Sequence, residues 1–209
     1  MTTELSDFFQ HRIIPVIAIE ESELATPLAK ALIKGGLPCA EITFRTAAAK
    51  SVIETLASRG DMLVGAGTVL TTEQAQEAVD AGAAFVISPG FNPKVVEYCL
   101  TNSIPVIPGI ATPTEIQQAI EFGLKVVKFF PAESFGGLST LKAISAPFAE
   151  MKFIPTGGIN TGNICDYLTH PKVIAAGGSW MATTPLISNR QFKEIARLTG
   201  EAVSLVASI

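Results

Sequence analysis

Short apolar runs rich in β-branched residues alternate with longer stretches of helical periodicity along the whole chain, and this alternation leaves few folds open. The strand-like runs are Ile13–Ile19, Cys39–Thr43, Leu63–Gly67, Phe85–Ser88, Pro105–Ile107, Val126–Phe130, Phe153–Pro155 and Val173–Ala176. Between and after them the spacing predicts helices over Leu24–Lys34, Ala47–Ser58, Thr72–Ala81, Pro93–Asn102, Pro113–Phe122, Leu138–Ala146, Asn163–Leu168 and Gln191–Ala207. Runs that are apolar almost throughout suit a parallel sheet covered on both faces, with the helices as its crossovers. Eight such units predict a single closed (β/α)₈ TIM barrel that takes the 209 residues as one domain, 1–209. An open doubly wound sheet is the alternative, but no G-x-G-x-x-G follows the first run. The segment before Ile13 reads as an extra N-terminal helix plugging the barrel bottom.

Local signals agree with this layout. Thr112-Pro113-Thr114-Glu115 combines a capping box with proline at the first helical position, Asn92-Pro93 repeats the proline device, and Thr71 with Gln74 makes another box. The segments ALIKGGLPCAEITF, EAVDAGAAFVISP and QAIEFGLKVVKFFP each read helix end, glycine, then strand.

Composition narrows the partners. With 48% hydrophobic and 16% charged residues and a mean hydropathy of +0.40, the chain suits a large core and an oligomer that hides further surface. No apolar stretch runs for about 18 residues without a charge or glycine, so no membrane span is expected. The acidic start, Met1 to Asp7, lacks the basic-then-apolar pattern of a signal peptide. Cys39, Cys99 and Cys165 show no metal-ligand spacing and read as reduced core or helix residues of a cytoplasmic protein. His11 and His170 are too far apart in sequence to suggest a zinc site, so no metal is expected. A net charge of -4 without a basic cluster argues against nucleic acid.

One residue breaks the apolar pattern. Lys128 lies inside Val126-Val127-Lys128-Phe129-Phe130, where alternation points Val126, Lys128 and Phe130 one way. An amine forced out of water is a poorer home for positive charge, which is how lysines become nucleophiles at neutral pH. Schiff-base chemistry is therefore the first hypothesis. The bland alternative is a strand-end lysine that snorkels to solvent.

The carboxyl ends of the other runs, where barrel enzymes place their chemistry, carry further candidates. The second run continues as Glu41-Ile42-Thr43-Phe44-Arg45-Thr46, with Glu41, Thr43 and Arg45 on one face and Ile42 and Phe44 toward the helices. Opposite charges inside a barrel need pairing or use, and a structural Glu–Arg pair stands beside the functional reading. The third run ends Gly65-Ala66-Gly67-Thr68, where glycines would let a ligand approach the backbone and Thr68 offers a hydroxyl. Ser88-Pro89-Gly90 and Pro108-Gly109 are rigid turns. The last two runs lead into Pro155-Thr156-Gly157-Gly158 and Ala176-Gly177-Gly178-Ser179-Trp180, whose paired glycines could cradle an anion at a recurrent phosphate site of such barrels. A lysine nucleophile, a carboxylate, an arginine with threonine hydroxyls and a phosphate cradle together suit a phosphorylated 2-oxo acid.

The segments EITFRT, GAGTVL, ISPG, IPGI with TPTE, KFFPAE, PTGGI and GGSW, in this order from about Ile13 to Trp180, strongly resemble the 2-keto-3-deoxy-6-phosphogluconate (KDPG) and 4-hydroxy-2-oxoglutarate aldolases and their phosphogalactonate homologues. The resemblance implies a class I aldolase on a (β/α)₈ barrel, a homotrimer working without cofactor. It implies Lys128 as the Schiff-base lysine, Glu41 as general acid/base, and Arg45 with Thr68 as the grip on the pyruvate carboxylate. Phe130 and Pro89 would line the pocket, Thr156 would sense the substrate hydroxyl, and Gly157, Gly158, Gly178 and Ser179 would hold phosphate. One departure is that many relatives carry an arginine just after the first strand, whereas Ile17-Ala18-Ile19-Glu20-Glu21 has none, which leaves open how unphosphorylated substrates compare. The rival functions are a phosphosugar isomerase or epimerase on the same barrel, and a non-catalytic ligand-binding barrel.

Overall fold

A computed structural model describes residues 10–209 of the chain. Nine strands are described: β1 (Ile13–Ile17), β2 (Cys39–Thr43), β3 (Leu63–Gly67), β4 (Val86–Ile87), β5 (Val106–Ile107), β6 (Gly109–Ile110), β7 (Val126–Phe129), β8 (Lys152–Pro155) and β9 (Ala176–Gly178). The helices between and after them are α1 (Ala25–Lys34), α2 (Ala49–Ala57), α3 (Thr72–Asp80), α4 (Pro93–Thr101), α5 (Pro113–Glu121), α6 (Gly137–Ser145), α7 (Ile164–Leu168), α8 (Thr184–Ser188) and α9 (Phe192–Val206). The expected N-terminal helix falls largely on residues 1–9 and lies outside the described residues.

Every strand pairing is parallel, in the orders β5-β4-β3-β2-β1-β9 and β6-β7-β8. The two groups meet at Pro108, which has no N–H to give a ladder and splits the fifth strand into β5 and β6. Its carbonyl still accepts from Lys128 N at 2.9 Å. On the other side, isolated parallel bridges Phe153↔Val173 and Thr156↔Gly177 link β8 to the β9 segment. The architecture is thus α/β with curled parallel sheets of the TIM-barrel type.

The core has two parts. A large cluster fills the layer between strands and helices and includes Ile42, Val127 and Phe129, the outward sides of their strands. A smaller one of Ile14, Phe85, Ile87, Ile107, Ile154 and Ala175 lies on the other side of the sheet. Phe85 explains Gly65, because a Cβ there would lie 1.8 Å from the ring. That glycine makes room for a neighbour, not for a ligand.

The strand and helix ends expose what pattern alone missed. The first strand stops at Ile17, short of Ile19, and the last one is Ala176–Gly178 where Val173–Ala176 was expected; Val173 makes only an isolated bridge. Glycines are depleted from strands in general, so a Gly-Gly pair reads as loop. Here bulk explains them: a Cβ on Gly177 would come 2.4 Å from Thr156 Oγ1, and one on Gly178 would come 1.9 Å from the Trp180 ring. The Thr112–Glu115 capping box forms as expected, as does the Asn92 cap. Thr71 accepts from Gln74 N, but Gln74 Oε1 turns back to Leu70 N, so this second box is only half made. The short helix α8, capped by Thr183, and a 3₁₀ turn at Glu133–Phe135 were unforeseen. Cys39 and Cys99 are buried free thiols on β2 and α4, and Cys165 is half-buried on α7. Among the described residues no helix is long and apolar enough to cross a membrane.

Candidate active site

At the carboxyl ends of the strands the side chains gather around one cavity of about 250 Å³. Lys128, from β7, reaches Glu41, from β2, with Nζ 3.3 Å from Oε1, and their side chains are only 5% and 1% exposed. Removing two charges from water is costly unless they answer each other, so this contact is what allows either to stay inside. Gly67 on β3 creates the space: a Cβ there would stand 2.1 Å from Glu41 Oε1. Lys128 Nζ also lies 5.1 Å from the centroid of the Phe130 ring, within cation–π range.

The structure places every residue singled out in the sequence in one region. Arg45, Thr68, Pro89, Lys128, Phe130, Thr156, Gly157, Gly158, Gly178 and Ser179 all line the cavity. Glu41 is not among the lining residues and is joined to the cavity through its contact with Lys128. The Glu41–Arg45 pair that stood as the structural alternative does not form; Glu41 goes to Lys128, and Arg45 Nε donates to Thr43 Oγ1 at 3.1 Å.

Each wall has a local cause. Thr68 follows β3 with φ +57°, a left-handed conformation that a β-branched residue adopts only at a cost of about 1–3 kcal/mol. The bond from Val69 N to Ile87 O at 3.2 Å pins the next residue and holds Thr68 in place. Ser88 Oγ donates to Gly90 O at 2.8 Å and stiffens the turn that carries Pro89. Gly109 lets that turn approach, since a Cβ there would lie 2.1 Å from Pro89 O.

Opposite these, Gly157 (φ +99°) and Gly158 (φ +80°) form a left-handed turn after β8. Their N–H groups have no bonded acceptor among the described residues. Ala132 N and Glu133 N donate to Thr156 O and Gly157 O at 2.8 and 3.1 Å, which clamps this turn to the segment after β7. Glu133 also accepts a hydrogen bond from the Tyr167 hydroxyl. Burial, reinforced by that carboxylate, pushes the Tyr167 phenol above its ordinary range. Sequence reasoning passed over this clamp, and over Val16 and Ile159 as lining residues, while Thr43 and Gly177 had entered only as neighbours of the residues assigned a role. Their only signals were position: Thr43 on the Glu41 face, Gly177 beside Gly178, and Ile159 next to the glycine turn.

An amine and a carboxylate in contact, shielded from water and beside one cavity, can in general add to a carbonyl and move protons around it. Free N–H groups of a left-handed turn suit an anion.

Residues 6–198 match the family described as KDPG and KHG aldolase. The 2-dehydro-3-deoxy-phosphogluconate aldolase of Treponema pallidum (strain Nichols) is 50% identical over 196 residues, 93% of each chain. A crystal structure of KDPG aldolase from Legionella pneumophila, with pyruvate captured at low pH as a covalent carbinolamine intermediate, superposes with a TM-score of 0.93 at 41% identity, covering 97% of this chain and 99% of that one. The 2-keto-3-deoxy-6-phosphogluconate aldolase of Zymomonas mobilis ZM4 with 3-phosphoglycerate gives a TM-score of 0.89 at 33% identity, covering 98% and 97%.

Proposed function

The chain belongs to the KDPG and KHG aldolase family, and from that premise we propose that it is a class I aldolase cleaving 2-keto-3-deoxy-6-phosphogluconate to pyruvate and glyceraldehyde 3-phosphate. The observation that carries this reading is the buried Lys128–Glu41 contact at 3.3 Å beside the cavity. The carbinolamine of the Legionella relative supports it.

Lys128, as the free amine, adds to C2 of the 2-oxo acid to give a carbinolamine, which loses water to become a protonated Schiff base. Glu41 takes the proton of the C4 hydroxyl, the C3–C4 bond breaks, and its electron pair flows into the iminium to give an enamine. The aldehyde departs. Glu41 returns the proton to C3, and water hydrolyses the Schiff base to free pyruvate and Lys128. Proton transfer by a placed carboxylate typically contributes about 10²–10⁴-fold. Arg45 grips the substrate carboxylate by charge-assisted hydrogen bonds, with Thr68 beside it. Pro89 and Phe130 wall the pocket, and Thr156 meets the hydroxyl end of the substrate. Gly157, Gly158, Gly178 and Ser179 hold the phosphate, for which the phosphoglycerate bound in the Zymomonas relative is the supporting observation.

We read the parallel strands as a single closed (β/α)₈ barrel forming one domain, supported by the bridges between β8 and β9 and the hand-over at Pro108. The assembly is read as a homotrimer, for which sedimentation should give three times the 22.0 kDa chain mass.

Borohydride added with pyruvate should leave a reduced adduct on the Lys128 peptide; an unlabelled Lys128 peptide overturns the mechanism. A panel of KDPG, its galactonate-derived epimer and 4-hydroxy-2-oxoglutarate, ranked by kcat/KM, then fixes the substrate. KDPG is expected to lead.

A further inference from the structure

Arg45 is exposed, on the loop leaving β2, and a long arginine side chain there has many rotamers to choose from. Its Nε is held by a single hydrogen bond, 3.1 Å to Thr43 Oγ1. Thr43 is itself 1% exposed, lines the cavity, and lies 2.8 Å from the carbonyl oxygen of Ile17 at the end of β1. The chemistry of these groups leaves one arrangement. A guanidinium Nε–H can only donate, so the threonine oxygen must accept from it. The hydroxyl's one proton is then given to the Ile17 carbonyl, which fixes the hydroxyl rotor and keeps a lone pair turned toward Arg45.

We propose that Thr43 is a positioning residue for Arg45: by bonding β1 with its proton and Nε with its lone pair, it aims the two terminal guanidinium nitrogens at the carboxylate of the 2-oxo acid. The proposal rests on the reading of Arg45 as the carboxylate grip. Preorganisation of this kind acts on binding, because the rotamer freedom of the arginine is given up before substrate arrives. Thr46 supplies an internal comparison. Its hydroxyl lies 2.7 Å from the Ile19 carbonyl, a similar rung between the same two strand ends, without a bond to Arg45.

The test follows exchange of the pyruvate methyl protons in deuterated water by NMR across a range of pyruvate concentrations. Thr43→Val preserves shape and removes the hydroxyl. Its half-saturating pyruvate concentration should rise about three- to tenfold, the worth of one typical intramolecular hydrogen bond, with the maximal rate nearly unchanged. Thr43→Ser should restore it. Methyl pyruvate, which lacks the carboxylate charge, should show no such rise in Thr43→Val. Thr46→Val loses a rung but no tether and should keep the wild-type value; an equal rise there would overturn the proposal in favour of general loosening. Arg45→Ala separates the two layers. If it leaves pyruvate saturation unchanged, the carboxylate reading fails and the proposal with it. If it raises the half-saturating concentration and Thr43→Val does not, the tether alone fails. Should Thr43→Val not fold, the wild-type protein decides: the Arg45 Nε–H must exchange slowly with water in ¹⁵N spectra, and rapid exchange overturns the tether.

Discussion

Two cation–carboxylate contacts in this molecule invite comparison, one on the outside of α9 and one inside the sheet. Arg197 Nη2 lies 2.5 Å from Glu194 Oε1, on side chains 52% and 38% exposed, and Arg197 also bonds Glu201. Lys128 and Glu41 are farther apart, at 3.3 Å, yet almost fully enclosed. Distance alone would rank the surface contact as the stronger. Water and salt reverse the order, because they screen exposed charges and leave enclosed ones to depend on each other. The hydrogen bond to Glu194 lowers that carboxyl's pKa and raises that of Arg197, but free solvation of both groups lies one rotamer away. Strength of coupling here follows burial, not contact length.

The largest effect expected is on the inner pair. Lys128→Met should lower turnover by about 10⁴-fold or more, as loss of a covalent nucleophile does, and leave no borohydride adduct. It should also strand Glu41, at a cost of about 3–5 kcal/mol in urea unfolding, and adding Glu41→Gln should recover part of that. Full stability of the single variant would break the comparison. Glu41→Gln alone should slow pyruvate release and methyl-proton exchange by about 10²–10⁴-fold while the adduct on Lys128 still forms; normal exchange removes Glu41 from its role.

Burial without a charged partner gives the next effect. Enclosure pushes the Cys39 thiol up to about 12 and the Cys99 thiol up to about 11, from an ordinary value of 9.0. Folded values above the unfolded ones mean that the stabilisation is complete below pH 9 and is lost as pH rises toward 11 and 12. The free energy of urea unfolding should therefore fall between pH 8 and pH 10.5 by on the order of 2 kcal/mol for each thiol, and Cys39→Ala should remove about half of that fall. A wild-type midpoint independent of pH over that window would contradict the burial argument. The smallest effect belongs to the surface. Arg197→Ala should move Tm by no more than about 2 °C, with the difference shrinking further at high salt.

Much of the layout was legible in advance because its causes are local. The Thr112–Glu115 box and the Asn92 cap act over three or four residues, and helix and strand periods repeat within a dozen. The glycines were harder. Gly65, Gly67 and Gly109 read as openings for a ligand or as turn residues, and the structure gives them to Phe85, Glu41 and the Pro89 carbonyl. What a glycine leaves room for lies on another strand, so no stretch around it can say. The same holds for Pro108, whose missing N–H was visible while its place at the hand-over between two strand groups was not.

The sequence by itself determined the parallel α/β class, the anomaly of a lysine in an apolar strand, and the motif set that marks the aldolase family. Tertiary structure alone decided the partners: Glu41 with Lys128 and not with Arg45, Arg45 with Thr43, and Glu133 with Tyr167. Glu41 and Lys128 are 87 residues apart in the chain. Periodicity and capping arise from neighbours along the backbone, whereas a contact at that separation exists only once the strands between them have curled and excluded water.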